Sequence, residues 1–370
     1  MRYAPGVTPL STRGGPENRR LEWGALRYHQ LTTVNFAYYG RIVNISQKYI
    51  FVRQNVHSRV LSVPRMQLSF QHLTSTKQLS REDTDTILKV AASMEDVLKA
   101  GGDDRLAGKI LASLFYEPST RTRLSFETAM QRLGGQIITA DGWQFSSLYK
   151  GETIEDTISV IGQYADIITM RHPEQGSADR AASVSPVPFI NAGDGPGQHP
   201  TQALLDLYTI QKELGRLENV HVTMVGDLKF GRTVHSLSFL LGLYEGMKFT
   251  LVSPKELTMP EKVTSFFEEK GITFNQTEEL EDGLDADILY MTRVQQERFK
   301  DPKEYERLKL KYILEAKHIK DRKIIVMHPL PRVGEISTDV DSLPNAAYFR
   351  EARNGVVVRM ALLAMLLGQE

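Results

Sequence analysis

The 370-residue sequence contains no cysteine. This absence excludes disulfide bonds, thiolate metal ligands and a cysteine nucleophile, and it suits a reducing compartment such as the cytoplasm. The sequence also lacks a run of about 18 apolar residues, so we expect no membrane-spanning helix. The formal net charge is also zero, because 45 basic residues balance 45 acidic ones. Basic residues are not gathered on one predicted face, which argues against nucleic acid as a partner.

Acidic residues are scarce in the first 65 positions, where ten Lys and Arg accompany only Glu17 and Glu22. A basic, acid-poor segment of this kind is typical of an organellar transit peptide. We favour an artefactual or disordered leader, because the regular alternation of predicted strands and helices begins only after Met66. A genuine additional element is a third interpretation.

From Met66 onward, predicted strands alternate with predicted helices. Ser80 and Asp83 have nearly the spacing of a capping box, and apolar residues at helical intervals follow them. Alternation of this kind predicts an α/β fold whose parallel sheets are covered on both faces. The number of units exceeds one ordinary sheet, so we predict two doubly wound domains with the active site in the cleft between them. The first predicted domain spans residues 66–200 and is completed by a C-terminal helix at 350–370. The second spans residues 201–349.

A polar motif at 117–123 lies between an apolar strand and a helix, where ligands of such sheets bind. The unpaired amide groups of a helix N-terminus attract phosphate. Ser119, Thr120 and Thr122 add hydroxyl donors, and Arg121 adds a planar, permanently charged group. The motif therefore predicts a phosphate site. The alternative is ordinary helix capping by Ser119 beside two solvated arginines.

A second group of motifs suits carboxylates. The segment 226–233 imitates a phosphate-binding P-loop, but Arg232 replaces the expected lysine and no second acidic metal motif is evident. We therefore interpret Arg232 as a carboxylate ligand, because guanidinium binds carboxylate through two parallel hydrogen bonds. Arg293 and Gln295 follow another predicted strand and share one side if that segment is extended.

Other polar residues are individually ambiguous. Lys150 stands in a polar loop and could be an ordinary solvated lysine, and Arg171 ends a strand where it could equally be a surface residue. His199 begins a helix, whose amides favour a neutral imidazole that can donate to a carbonyl oxygen; helix capping is the alternative. Gln202 follows one turn later. Two prolines at 329 and 331 stiffen another strand end and fix the directions of its carbonyl groups.

These motifs together indicate direct transfer between two bound anions. The sequence offers no metal-ligand cluster, no dinucleotide motif and no serine-nucleophile elbow, so we expect neither a metal nor a cofactor.

The motifs, in this order, resemble those of aspartate carbamoyltransferase catalytic chains over residues 66–370. Residues 1–65 lie outside the resemblance. A catalytic chain of this family is about as long as the present sequence counted from Met66. The quoted motifs are Ser119-Thr120-Arg121-Thr122, Lys150-Gly151-Glu152, Arg171-His172-Pro173, His199-Pro200-Thr201-Gln202, Gly226-Asp227-Leu228-Lys229 with Arg232-Thr233, Thr292-Arg293-Val294-Gln295 and His328-Pro329-Leu330-Pro331-Arg332.

The resemblance implies specific roles. The segment Ser119–Thr122 binds the phosphate of carbamoyl phosphate, and Thr122, Arg171 and His199 contact its carbonyl oxygen. Its amino group is held by Gln202 and by the backbone carbonyls of Leu330 and Pro331. The carboxylates of L-aspartate are bound by Arg232, Arg293 and Gln295, with Lys150 also at the aspartate site.

In this family, Ser146 and Lys150 reach into the active site of a neighbouring subunit, which implies a homotrimer at least. The resemblance also implies an early step of pyrimidine biosynthesis, with regulatory chains or other pathway enzymes as possible partners. Ornithine carbamoyltransferase is the nearest rival. That family carries Ser-Met-Gly where this chain has Thr292-Arg293-Val294, and His-Cys-Leu-Pro where this chain has His328-Pro329-Leu330-Pro331. A non-catalytic member of the family is the other alternative.

Overall fold

A computed structural model describes residues 68–142, 150–296, 299 and 301–370. The basic segment at 1–65 and Ser146 lie outside the described residues, so what the sequence predicts for them stays a prediction. Residues 65–370 belong to one compact unit. No described helix combines the length and the apolar character that crossing a bilayer requires.

The first half of this unit contains a five-stranded parallel sheet. Its strands are β1 (His72–Leu73), β2 (Ile110–Phe115), β3 (Gln136–Asp141), β4 (Ile167–His172) and β5 (Phe189–Asp194), in the spatial order β1-β5-β4-β2-β3. The helices of this half are α1 (Arg81–Lys99), α2 (Thr120–Arg132), α3 (Ile154–Ile161) and α4 (Ser177–Val184). Ser80 and Asp83 cap α1 reciprocally, since each side chain accepts the other residue's amide, at 3.0 and 3.2 Å.

The second half repeats this architecture. Helix α5 (Pro200–Leu214) leads to the strands β6 (His221–Val225), β7 (Lys248–Val252), β8 (Thr273–Thr277), β9 (Ile288–Met291) and β10 (Ile325–Met327), in the spatial order β10-β9-β6-β7-β8. All pairings in the sheet are parallel. The remaining helices are α6 (Arg232–Leu241), α7 (Glu261–Glu269), α8 (Pro302–Leu308), α9 (Ala316–Ile319) and α10 (Tyr348–Leu366).

Both sheets are covered on two faces. In β2, Leu111 and Phe115 join one apolar cluster, whereas Ala112 and Leu114 join another. Strand β6 divides in the same way between neighbouring residues. Since successive side chains of a strand point to opposite faces, each sheet is buried on both sides. The predicted α/β class with two doubly wound parallel sheets is confirmed.

One apolar cluster extends through both halves. It joins one face of the first sheet to α1, α5, α6 and α10 and continues onto one face of the second sheet. Although α10 is the last helix of the chain, it packs against α1, α2 and α5. The exact domain limits proposed from the sequence, at 200/201 and 349/350, stay predictions.

The sequence pattern does not reveal α4 or β8. Helix α4 has eight residues and follows Gly176, which has a φ of 82° and no side chain with which to cap the helix. Strand β8 is polar and mostly exposed at the edge of its sheet, so it lacks the apolar run by which buried strands are recognised. An element is therefore easiest to predict from the sequence when it buries a run of apolar residues.

We predict that Leu362→Ala lowers the free energy of unfolding by about 2–5 kcal/mol, because Leu362 is fully buried where α10 meets the shared cluster. Urea denaturation followed by circular dichroism measures this change. Leu124→Ala is the matched control, since Leu124 is 50% exposed, and its effect should stay within about 0.5 kcal/mol. Equal losses in the two variants would contradict the role given to α10.

Candidate active site

Segments that follow β2, β5, β6, β9 and β10, together with the end of β4, border one cavity of about 410 Å³. Its lining includes most of the residues singled out by the sequence: Ser119, Thr120, Arg121, Thr122, Arg171, His199, Gln202, Arg232, Arg293, Gln295, Leu330 and Pro331. Lys150 is exposed and does not line this cavity. Parallel strands bring these segments together because their carboxyl ends share one edge of each sheet.

The N-terminus of α2 opens toward the cavity. Ser119 is its N-cap residue, but its side chain makes no capping hydrogen bond; instead its hydroxyl donates to Thr122 Oγ1 at 3.0 Å. The alternative of ordinary capping by Ser119 is therefore wrong. Arg123 forms ion pairs with Glu127 and Asp141 and does not line the cavity, whereas Arg121 does. The first amides of α2 and the hydroxyls of Thr120 and Thr122 can donate to an anion.

Glu117 holds two arginines side by side. Its Oε2 lies 3.2 Å from Arg171 Nε and 3.7 Å from an Nη of Arg232. Arg171 also donates to the carbonyl oxygen of Ala192 in β5 at 3.3 Å, and Arg232 donates to the carbonyl oxygen of Gly195, which follows that strand. The guanidinium groups pass so close to Gly193, whose φ is 120°, that a Cβ there would lie 3.0 Å from Arg171. Arg171 is thus a buried cavity residue, not a surface one.

Positive charge accumulates in the cavity. Burial and then the adjacent Arg232 lower the pKa of Arg171 to about 9, although Glu117 opposes the shift. Partial desolvation and then Arg293 lower the pKa of Arg121. Guanidinium groups that lower one another's pKa repel, and a bound anion would relieve that repulsion. The cavity is therefore suited to ligands that carry several negative charges.

His199 is a buried, neutral imidazole. Only 4% of the residue is exposed, and burial, followed by Arg232 and Arg171, lowers its pKa well below the usual value. Neutrality is predicted from the sequence for another reason, the helix amides, whereas burial and the neighbouring arginines are its causes in the structure. Its side chain makes no capping hydrogen bond, so the capping alternative is wrong. A neutral imidazole keeps one N–H that can donate to an oxygen becoming negative.

The segment 226–233 is organised by Asp227. One carboxylate oxygen accepts the amide of Phe230 at 2.9 Å, and the other accepts the amide of Gln295 at 3.3 Å. The Asp227 amide donates in turn to Thr292 Oγ1 at 3.0 Å. Two amides thus bind a carboxylate of the protein itself. The loop resembles a P-loop only in sequence, and Asp227 joins the segments that carry Arg232 and Arg293.

The segment after β10 is fixed by His328. Its Nδ1 accepts the amide of Leu330 at 2.8 Å, so the proton lies on Nε2, which donates to Glu335 Oε1 at 2.6 Å. Leu330 has a φ of 54° and is followed by a cis peptide bond to Pro331. Burial acts to raise the pKa of Glu335, but the hydrogen bond from His328 holds it below its usual value. The backbone that borders the cavity is therefore held by contacts along its length.

Several lining residues escape the sequence analysis as site residues, among them Glu117, Glu351 and Arg359. Glu117 stands within the first polar motif, which is a usable signal. Arg359 stands in the apolar part of α10, where a charged residue is unusual unless it has a buried partner. Glu351 stands between Arg350 and Arg353 in the polar first turns of the same helix, so its sequence context gives no such signal. In the part of the chain that the structure describes, no cluster of His, Asp or Glu could hold a metal ion.

The sequence matches two family models in succession. The carbamoyl-P binding domain of aspartate/ornithine carbamoyltransferases matches residues 71–212, and their Asp/Orn binding domain matches residues 218–366. The chain belongs to the aspartate/ornithine carbamoyltransferase family. The two models together cover most of the chain. The family assignment therefore applies to both sheets and to the segments that border the cavity.

Relatives within this family are similar over nearly their whole length. The aspartate carbamoyltransferase catalytic subunit of Methanocaldococcus jannaschii is 52% identical over 299 residues, which are 80% of this chain and 98% of the relative. A crystal structure of that subunit, at the same identity and coverage, gives a TM-score of 0.76. The aspartate transcarbamoylase of Trypanosoma cruzi in complex with carbamoyl phosphate and aspartate is 41% identical, with a TM-score of 0.75 over 80% of this chain and 96% of that one.

We predict that Asp227→Ala lowers the free energy of unfolding by about 2 kcal/mol or more, because two amides lose a charged acceptor. Urea denaturation measures the loss. Asp321→Ala removes an exposed aspartate from the same half of the protein and should change stability by less than about 0.5 kcal/mol. An Asp227 variant as stable as this control would show that the carboxylate does not organise the loop.

Proposed function

We propose that the protein transfers the carbamoyl group of carbamoyl phosphate to L-aspartate, producing N-carbamoyl-L-aspartate and phosphate. The observation that carries this proposal is the arginine-rich cavity, in which Arg121, Arg171, Arg232 and Arg293 converge. A phosphate and a dicarboxylate together supply the negative charge that such a group of side chains attracts. Membership of the family supports the same reaction.

Carbamoyl phosphate binds at the turn that begins α2. Ser119, Thr120 and Arg121 bind the phosphate, together with the first amides of the helix. Thr122, Arg171 and His199 surround the carbonyl oxygen, while Gln202, Leu330 and Pro331 accept hydrogen bonds from the amino group. These assignments are supported by the position of all nine residues in the lining of one cavity.

L-Aspartate binds on the side of the second sheet. Arg232 and Arg293 bind its two carboxylates, and Gln295 helps to orient it. The hydrogen bonds of Asp227 support this arrangement, because they join the segments that carry the two arginines. Two separated guanidinium groups select an acceptor with two carboxylates over one with a second amine.

The reaction is a direct displacement. The neutral amine of aspartate attacks the carbamoyl carbon, a C–N bond forms, and the carbonyl oxygen becomes negative. Thr122, Arg171 and the neutral His199 stabilise that oxygen, because their donors are already in place. The C–O bond to phosphate then breaks, and Arg121 balances the charge of the leaving group. Holding both substrates at attack distance supplies much of the acceleration.

The amine must lose a proton during transfer. His199 has a strongly lowered pKa and lies among arginines, so it is a weak base in this cavity. We propose that an oxygen of the departing phosphate takes the proton, which leaves as part of the inorganic phosphate product. No protein group then has to change charge during turnover.

Ornithine carbamoyltransferase remains the competing activity, since the family models cover both acceptors. We predict that the purified protein carbamoylates L-aspartate and that L-ornithine reacts at least about 100-fold more slowly, because its amine would face guanidinium groups. Radiolabelled carbamoyl phosphate with each acceptor gives both rates. Equal or faster transfer to ornithine contradicts the proposal, and no transfer to either acceptor favours a non-catalytic family member.

We further propose a homotrimer with active sites shared between neighbouring subunits. Lys150 is exposed and outside the lining of its own cavity, which supports a role at another subunit's site. It binds both substrates there, with Ser146. The same proposal places the protein in the cytoplasm, at an early step of pyrimidine biosynthesis. Its possible partners are regulatory chains or other enzymes of that pathway.

Mixing two inactive variants tests the shared site. We predict that Arg121→Ala and Lys150→Ala each lower kcat/KM at least about tenfold, because each removes a charge-assisted contact. After reversible dissociation and mixing, roughly a quarter of the sites should combine Arg121 of one subunit with Lys150 of the next, and activity should return. Doubling the concentration of either variant alone is the control. Mixed trimers without recovered activity contradict sharing.

A further inference from the structure

Two buried carboxyl groups meet at the wall of the cavity, which Glu351 lines. Asp206 of α5 and Glu351 of α10 are 0% and 1% exposed, and a hydrogen bond joins their side chains. The amide nitrogen of Gln202 donates to both, at 2.8 Å to Asp206 and 3.3 Å to Glu351. Tyr290 of β9 donates to Asp206 at 2.7 Å, and the amide of His328 donates to Glu351 at 2.8 Å. Four segments distant in sequence therefore meet at this pair.

The pair holds one proton. Burial raises the pKa of both carboxyl groups, and repulsion by the Asp206 carboxylate raises that of Glu351 further. Hydrogen bonds from Tyr290, Gln202 and Glu351 instead act to lower the pKa of Asp206. Arg359 is the cation that faces Asp206, Tyr290 approaches it from β9, and His328 presents only its backbone amide to Glu351. We assign the proton to Glu351, whose hydroxyl donates to the Asp206 carboxylate. This leaves one charge opposite Arg359.

The contacts determine the orientation of Gln202. Carboxylate oxygens accept hydrogen bonds, so the group that Gln202 turns toward them is its NH2. Its carbonyl oxygen is then the atom left for the cavity, which Gln202 lines. Glu351 also accepts the amide of the first residue in the segment 328–331. The carboxyl pair thus fixes both an amide side chain and a backbone segment at the same wall of the cavity.

We infer that Glu351 and Asp206 are positioning residues for the carbamoyl amino group, acting through the amide of Gln202 and the backbone that begins at His328. This inference rests on the proposed function, which assigns that amino group to Gln202, Leu330 and Pro331. Neither carboxyl group has to touch the substrate. Their effect is to leave only hydrogen-bond acceptors facing an NH2 group, so an acyl phosphate without that group gains nothing from them.

Substrate comparison separates positioning from a merely structural role. Glu351→Leu keeps the approximate size of the side chain but removes its donor and acceptors. We expect the KM for carbamoyl phosphate to rise about tenfold or more, since hydrogen bonds at the amino group are lost. Acetyl phosphate carries a methyl in place of the amino group, and its inhibition constant should change less than about threefold. Equal losses for the two phosphates overturn the inference.

Glu351→Gln is the rescue variant, because its NH2 can donate to Asp206 and its carbonyl can accept the amide of His328 at any pH. It should recover most of the affinity that the leucine variant loses. In the wild type, rising pH removes the shared proton and leaves two repelling carboxylates, so the KM for carbamoyl phosphate should rise at alkaline pH. The glutamine variant should lack this rise. Identical pH profiles, or no rescue, overturn the inference.

The same substitution changes stability in a predictable direction. A carboxyl whose pKa is raised in the folded protein favours folding at low pH and opposes it increasingly as pH rises above the unfolded pKa. The Tm of Glu351→Gln minus that of the wild type should therefore grow between pH 5 and pH 8. This arm needs no activity, so it tests the pair even if the wild type fails to carbamoylate aspartate. A constant difference overturns the assignment of the shared proton.

Glu213→Gln is the matched control. Glu213 also joins α5 to α10, through an ion pair with Arg350 at 2.7 Å, but Arg350 is largely exposed and neither residue lines the cavity. Its substitution should alter neither the KM for carbamoyl phosphate nor the pH profile. If the control reproduces the Glu351 effects, the changes report the packing of the two helices, and the positioning role is overturned.

Discussion

The cavity depends on holding like charges together. Arg171, Arg232 and Arg121 lie near one another, with Glu117 as a shared counter-ion for the first two. Burial, and after it the neighbouring guanidinium groups, lower the pKa values of Arg171 and Arg121. Such an arrangement forms only if the scaffold opposes the repulsion. Here backbone carbonyls hold Arg171 and Arg232, and strand β5 leaves room for both guanidinium groups because Gly193 has no side chain. The site is therefore preorganised for anions before any ligand arrives.

The scaffold supplies that opposition through a core shared by both sheets. One apolar cluster connects them by way of α1, α5, α6 and α10, so the two strand edges that border the cavity are held by the same packed interior. Polar contacts add direction to this packing. Asp227 joins two loops of the second sheet, and the pair of Asp206 and Glu351 joins α5, α10 and the segment after β10. Apolar packing thus sets the distance between the two sheets, and hydrogen bonds set the orientation of the side chains and loops that border the cavity.

How much the sequence predicts depends on how local a feature is. The turn at Ser119–Thr122 is contiguous and follows an apolar strand, so its anion-binding character follows from helix geometry alone. Gln202 is also recognisable, but its orientation depends on a carboxyl pair of which only Asp206 is near in sequence, since Glu351 is 149 positions away. Arg171 is ambiguous from its neighbours and becomes a cavity residue only through burial beside Glu117. Edge strand β8 is missed because it buries little apolar surface.

The position of α10 has a consequence for how the chain becomes structured during synthesis. The helix is translated after all the other described elements, yet it packs against α1 and α2, which are among the first of them. The first sheet therefore lacks part of its apolar covering until the second sheet and α10 have been translated. Such long-range closure slows folding and exposes apolar surface meanwhile, so chaperone dependence should exceed that of a protein whose halves mature independently.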